Sequence, residues 1–216
     1  MRPSWGGTGP GRPTLSAPLR SGVPHRCRPR YEGSGRPVRR LRFRRSAEGN
    51  ERMETRIVGR PAFRLVGHAT RVPLIHRGVN PYIQRHVAAL PAREHLRLKA
   101  LGDTEPAGLL AVCADLDADF DEGSELTYLH GVAVSRGTPV PADLDVIEVP
   151  AGRWVVLRVV GPDPQVLQET WATAVTGWFP FNPWRLRPGP EIVAVSAGTD
   201  DPGGTARELW LPVEPA

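Results

Sequence analysis

An α+β fold made of two similar strand–helix–strand–strand halves is what this sequence predicts, and three observations predict it. Apolar side chains alternate with the period of a strand in Leu126, Tyr128, His130, Val132 and Val134. They recur at helical spacing in Leu167, Trp171, Ala174 and Trp178. The order strand, helix, strand, strand then occurs twice between residues 54 and 214. Such a duplication predicts pseudo-twofold symmetry, with halves of about 54–136 and 144–214. The seam between the halves is a natural ligand cleft.

Each element has its own signal. Phe63 to Val72 has strand character. Asn80-Pro81 reads as a helix start, with Asn as cap and Pro in the first turn, and Ile83, Val87 and Leu90 follow at helical spacing. Pro91 ends or kinks that helix and Glu94 to Leu101 continues it. Leu109 to Ala114 is a continuous apolar strand, followed by an acidic loop and the alternating strand at Leu126–Val134. Asp145 to Val160 reads as one long strand, broken or bulged at Pro150-Ala151-Gly152. Asp163-Pro164 supplies a second cap and first-turn Pro. Glu191 to Ala197 and Ala206 to Pro212 complete the second half, joined by a turn at Asp200-Asp201-Pro202-Gly203-Gly204. Tyr128 and Trp210 fall on corresponding final strands.

Charge divides the chain differently from hydropathy. Residues 1–52 carry thirteen Arg, no Lys and three Glu, a net of +10, and the remainder carries a net of −5. This Arg-, Gly- and Pro-rich segment has no period and too little apolar surface to offset chain entropy, so it reads as a disordered tail. Two readings of it stand. Its densest stretch, Arg36 to Arg45, suits loose polyanion binding through counterion release. The favoured alternative is translated GC-rich upstream sequence ahead of a native start at Met53, with the folded domain covering 53–216.

Several classes are excluded. Cys27 and Cys113 share no ligand spacing, so neither zinc nor a disulfide is expected, and no cofactor or metal is assigned. Asp115, Asp117, Asp119 and Asp121 lack the central Gly and closing Glu of a calcium loop. No run approaches the roughly eighteen apolar residues of a membrane span, and no signal-peptide core is present, so the expected compartment is the cytoplasm. A nucleophile elbow and a phosphate-binding Gly loop are both missing.

Glu191 is the residue on which function turns. It follows Pro188-Gly189-Pro190, opens the run Ile192-Val193-Ala194-Val195, and lies within about forty residues of five of the six tryptophans. A carboxylate there holds a cation, acts as a general base, or is an ordinary solvated strand end. Trp171, mid-stripe on its helix, reads as core, and Trp178 closes that helix between core and pocket. Trp154 and Trp210 lie opposite the wholly apolar faces of their strands, which suits cleft walls. Tyr128 is the best hydroxyl candidate, and His130 on its face reads as structural.

Several segments together resemble the GyrI-like small-molecule-binding family, also called the AraC-type effector-binding domain. They are Pro61-Ala62-Phe63-Arg64-Leu65-Val66-Gly67, Tyr128-Leu129-His130-Gly131-Val132, Pro150-Ala151-Gly152-Arg153-Trp154-Val155-Val156, Gly161-Pro162, Gly177-Trp178-Phe179-Pro180 and Pro190-Glu191. The resemblance covers nearly all of 54–214 and implies the duplicated fold, a cleft between the halves, and an acidic pocket residue at Glu191. It implies a sensor of drugs or metabolites, with Glu191, Tyr128, Trp154, Trp178 and Trp210 around a small apolar, aromatic or cationic ligand. Some members are similar to hydrolases of cyclopropane-bearing toxins; Glu191 as base and Tyr128 as proton donor would serve that reaction. Others act on DNA gyrase, the third reading, with the Arg-rich tail as anchor. Val193 stands where the family often has Tyr, which favours holding a ligand over breaking one.

Overall fold

The computed structural model describes residues 54–116, 121–159, 161, 164–195 and 207–216, all within the second of the two units into which the chain divides, Gly49–Ala216. The tail at 1–52 with its stretch Arg36 to Arg45, the start at Met53, Asp117, Asp119, Asp163 and the turn at 200–204 lie outside the described residues.

The chain forms strands β1 (Thr55–Arg60), β2 (Phe63–Pro73), β3 (Leu110–Ala114), β4 (Glu125–Ser135), β5 (Asp145–Val149), β6 (Gly152–Val159), β7 (Trp184–Leu186), β8 (Glu191–Val195) and β9 (Arg207–Pro215). Its helices are α1 (Pro81–Ala88), α2 (Ala92–Leu101) and α3 (Gln165–Thr173). Asn80 caps α1 as its sequence requires, its side-chain oxygen accepting from Tyr82 N at 3.0 Å and Ile83 N at 3.3 Å. Helix α3 runs into a π-helical turn at Ala174–Trp178 and a short 3₁₀ turn at Phe179–Phe181, where Pro180 ends regular bonding.

The strands build one antiparallel sheet in the order β1-β6-β9-β8-β3-β4-β2-β5, with β7 also paired to β9. The duplication is plain in that order. The block β2-β4-β3 and the block β6-β9-β8 each arise from strand, helix, strand, strand, and they meet at the β3·β8 ladder. The strands that precede each block are exchanged: β1 pairs with β6 of the second half and β5 with β2 of the first. The break expected at Pro150-Ala151-Gly152 divides the run that begins at Asp145 into two strands, β5 and β6. Pro150 breaks the ladder, and the chain crosses from one half to the other there.

Two glycines set how closely β2 and β4 approach. Gly67 and Gly131 face each other in register. A Cβ on Gly67 would lie 2.2 Å from the His130 carbonyl oxygen, and one on Gly131 would lie 2.1 Å from that of Val66. Only glycine fits both positions.

Alternation gives the sheet two faces. Val155, Leu157, Val159, Leu209, Leu211 and Val213 lie under α3 and its π turn, while Val66, Val132 and Val134 lie under Leu98 of α2. The other face gathers Phe63, Leu65, Leu110, Val112, Leu129, Val149, Trp154, Val156, Ile192 and Trp210 into a single cluster. In that cluster the Trp154 ring lies 6.2 Å from that of Phe63. Their strands, β6 and β2, have four others between them, which in a flat sheet would hold them roughly 24 Å apart. The sheet is thus rolled, and its inner face is a closed core rather than a cleft.

That finding changes the standing of two tryptophans. Trp154 is 0% exposed and Trp210 1% exposed, both deep in the rolled core. Their strand parity is as the sequence indicates, but the face opposite the helices is buried by curvature. Replacing Trp154 with Ala is expected to cost roughly 3–5 kcal/mol in urea unfolding. A cost below about 1 kcal/mol would place the ring at a surface instead.

Candidate functional site

The seam between the halves is only four pairs long: Leu110↔Ala194, Ala111↔Val193, Val112↔Ile192 and Cys113↔Glu191. Leu110, Val112, Ile192 and Ala194 point into the rolled core. Strand alternation therefore turns Ala111, Cys113, Glu191 and Val193 to the helix side. These four half-buried residues form a floor. Helix α1 packs beside Ala111 and Cys113 through Ile83 and Val87. Helix α3 packs beside Val193 through Val166, Leu167 and Trp171.

Glu191 occupies one corner of that floor. Its Oε2 accepts a hydrogen bond from the Trp171 indole Nε1–H at 3.1 Å. Oε1 has no hydrogen-bond partner among the described residues. Desolvation holds the carboxyl above its usual range, and the indole bond opposes this only in part. Cys113, its cross-strand partner, is pushed up to about 12 by burial and then by the Glu191 charge, so its thiol is unreactive.

Tyr128 lies one strand further along the same row, paired with Cys113. It is therefore about 9–10 Å from Glu191 measured along the sheet. The residue is 4% exposed, packed under α1, and its hydroxyl has no hydrogen-bond partner among the described residues. Burial raises its pKa. The His86 ring of α1 meets the Tyr128 ring edge-on, with centroids 6.0 Å apart.

Of the five residues expected around a ligand, Glu191 and Tyr128 share this floor. Trp154 and Trp210 do not. They sit across the sheet, with Arg187 over one ring at 5.3 Å and Arg56 over the other at 5.7 Å. The Trp210 indole is already engaged, donating to Glu208 Oε2 at 3.1 Å. Trp178 packs against Phe179, ring centroids 5.0 Å apart, over the apolar cluster beneath α3 and its π turn. Among the described residues it makes no hydrogen bond to Glu191. The aromatic side chain that does touch Glu191 is Trp171, which its mid-stripe position had marked as core.

The sequence also hid a group of histidines on the helix side. His130 is 9% exposed and faces His68 directly across β2 and β4. His95 of α2 approaches it, Nδ1 to Nε2, at 3.1 Å. His68 pairs with Glu94 at 2.9 Å, and His86 Nε2–H donates to the His68 carbonyl at 3.0 Å. The four come from β2, α1, α2 and β4, so no local pattern announces them. Among the described residues, no set of three or more His, Cys, Asp or Glu side chains is arranged to hold a metal.

Burial and the neighbouring His95, His86 and His68 push the His130 pKa from 6.5 down to about 4. The unfolded chain therefore takes up this proton first as pH falls. Stability is lost from about pH 6.5 and the loss is complete near the folded value of about 4. We expect that loss to be roughly 3 kcal/mol and to disappear from the pH profile of unfolding in His130→Gln. An unchanged profile in the variant would contradict the assignment.

Comparison with known proteins agrees with this architecture. The sequence profile of the GyrI-like small molecule binding domain matches residues 53–214. No curated protein sequence matches the chain. Among solved structures, SAV2435 bound to tetraphenylphosphonium superposes with a TM-score of 0.54 at 19% identity, over 75% of this chain and 94% of that one. EcmrR in its complex with DNA gives 0.51 at 16% identity, over 76% of this chain and 58% of EcmrR. At such identities the likeness is one of fold. No helix among the described residues is long and apolar enough to cross a membrane.

Proposed function

This chain belongs to the GyrI-like small-molecule-binding family, and on that premise we propose that it binds an apolar or aromatic organic cation, a drug or a metabolite, at the seam between its halves. The observation that carries the reading is the Glu191 carboxylate. It is desolvated, it holds one indole N–H, and its second oxygen has no partner among the described residues. A buried carboxylate in that condition is a strong receptor for a cation, because the ligand's charge replaces lost solvation.

The surroundings fit such a ligand. Trp171 turns the N–H edge of its indole to the carboxylate, and a ligand cation that reaches the ring face gains from its quadrupole. Ala111, Cys113 and Val193 give a smooth apolar floor, and Tyr128 with His86 closes the far end. SAV2435 was solved with tetraphenylphosphonium, a cation of this class, and it supports the choice of probe. Trp154 and Trp210, buried in the rolled core, have no part in this site.

The test is calorimetric titration with tetraphenylphosphonium across pH. A cation competes with the Glu191 proton, so affinity should rise with pH through the raised Glu191 pKa and then level off. Glu191→Gln should weaken binding about tenfold or more, corresponding to roughly 1.5–3 kcal/mol, and flatten the pH dependence. Unchanged affinity in the variant contradicts the reading.

Hydrolysis at the same floor is the second reading, and one observation favours it: the Tyr128 hydroxyl, without a hydrogen-bond partner among the described residues, lies in the same row as a carboxylate held basic by desolvation. Turnover of a cyclopropane-bearing electrophile, lost in both Glu191→Gln and Tyr128→Phe, would establish it. Stoichiometric binding without product would dismiss it.

A further inference from the structure

Helix α3 covers the floor without burying any of its residues, as does α1 on the other side. Val166, Leu167 and Trp171 rest on the sheet only half-buried. Among the described residues, two side chains tie α3 to the rest of the protein by hydrogen bonds. One is Trp171, on Glu191. The other is Gln168, three residues earlier, whose Oε1 accepts from Gly78 N at 3.1 Å and whose Nε2 donates to Gly78 O at 2.9 Å.

Gly78 belongs to the other half. It lies in the loop from β2 to α1, and that loop is well anchored at its base. Leu74 N donates to Ser124 O at 2.7 Å, Gly123 N to Leu74 O at 3.0 Å, and His76 N to the Glu122 carboxylate at 2.8 Å. Asn80 Nδ2 donates to Pro73 O at 2.8 Å. At the tip, Gly78 has φ +82°, a left-handed conformation that glycine adopts freely, and nothing lies within 4 Å of where a Cβ would be. The loop thus presents a bare peptide unit, both N–H and C=O, to one amide side chain. Helix α1 lies on β2 with Ala111 and Cys113 of β3 at its side, and helix α3 lies on β6 and β9 with Val193 of β8 at its side. This paired bond therefore joins the loop ahead of α1 to α3 across the seam that has Glu191 in its floor.

We propose that Gln168 is the clasp that sets how fast ligands pass into and out of the seam. This inference rests on the seam being the ligand site. The clasp is solvent-exposed, as the bonds of a latch that must open and close repeatedly need to be. Gln reaches both groups of one peptide at once; Asn is one methylene shorter, and Ala offers nothing.

The experiment is stopped-flow tryptophan fluorescence with tetraphenylphosphonium on the full chain, its Gln168→Ala and Gln168→Asn variants, and hydrogen exchange on all three without ligand. Both variants should bind and release at least about fivefold faster, with Kd within about twofold of the original, since the clasp re-forms over the bound ligand. Exchange should rise over residues 74–80 and 165–173 and stay unchanged in β3 and β8. Unaltered rates, or a weakened Kd arising from release alone, would overturn the proposal. Absence of binding by the unsubstituted protein counts against the seam as ligand site. Unchanged exchange in the variants counts against the clasp itself, so the two failures are distinguishable.

Discussion

The short ladder between β3 and β8 is the constraint on which the rest of this structure depends. It is where the two halves of the sheet meet, and its register decides which side chains face which layer. Because strands alternate with a period of two, pairing Cys113 with Glu191 sends Ile192 and Ala194 into the rolled core and leaves Glu191 on the helix side. A slip of one residue would bury the carboxylate among Trp154, Trp210 and Phe63. The exchange of β1 and β5 between the halves holds the ladder in place, since neither half completes its sheet without a strand from beside the other.

From that register the chemistry follows. A carboxylate under a helix but outside the close-packed core is desolvated without being fully paired. Trp171 donates to one oxygen, and the other has no hydrogen-bond partner among the described residues. Beyond the floor, His130 resists protonation because it is buried beside three other histidines. On the proposed reading, one concentrated negative charge beside the Trp171 indole favours a hydrophobic cation.

Much of this was legible in the sequence, and the misses share a cause. Asn80-Pro81, the alternation from Leu126 to Val134 and the stripe from Leu167 to Trp178 are local patterns; the first two became the expected elements, and the stripe became α3 continued by the π turn at Ala174–Trp178. The short strands β1 and β7 carry too few apolar residues to announce themselves; pairing with β6 and β9 defines them. The tryptophans are more instructive. Matching Tyr-Leu-His-Gly-Val with Trp-Leu-Pro-Val equates Tyr128 with Trp210. The structure says otherwise: Tyr128 faces the helix side, as Leu209 does, while Trp210 faces the rolled core. One residue of offset carries Trp210 to the opposite face. The role of Trp171 was equally out of reach, because nothing near it in sequence shows that Glu191 lies beneath.

The central claim is that Glu191 is a desolvated carboxylate whose charge awaits a cation. Its titration, followed by carbon-13 NMR of the labelled side chain with and without tetraphenylphosphonium, tests that claim most directly. The account predicts a midpoint above the ordinary carboxylate range in the free protein, moving down when the cation is bound. A midpoint in the ordinary range that the cation leaves unmoved would contradict it.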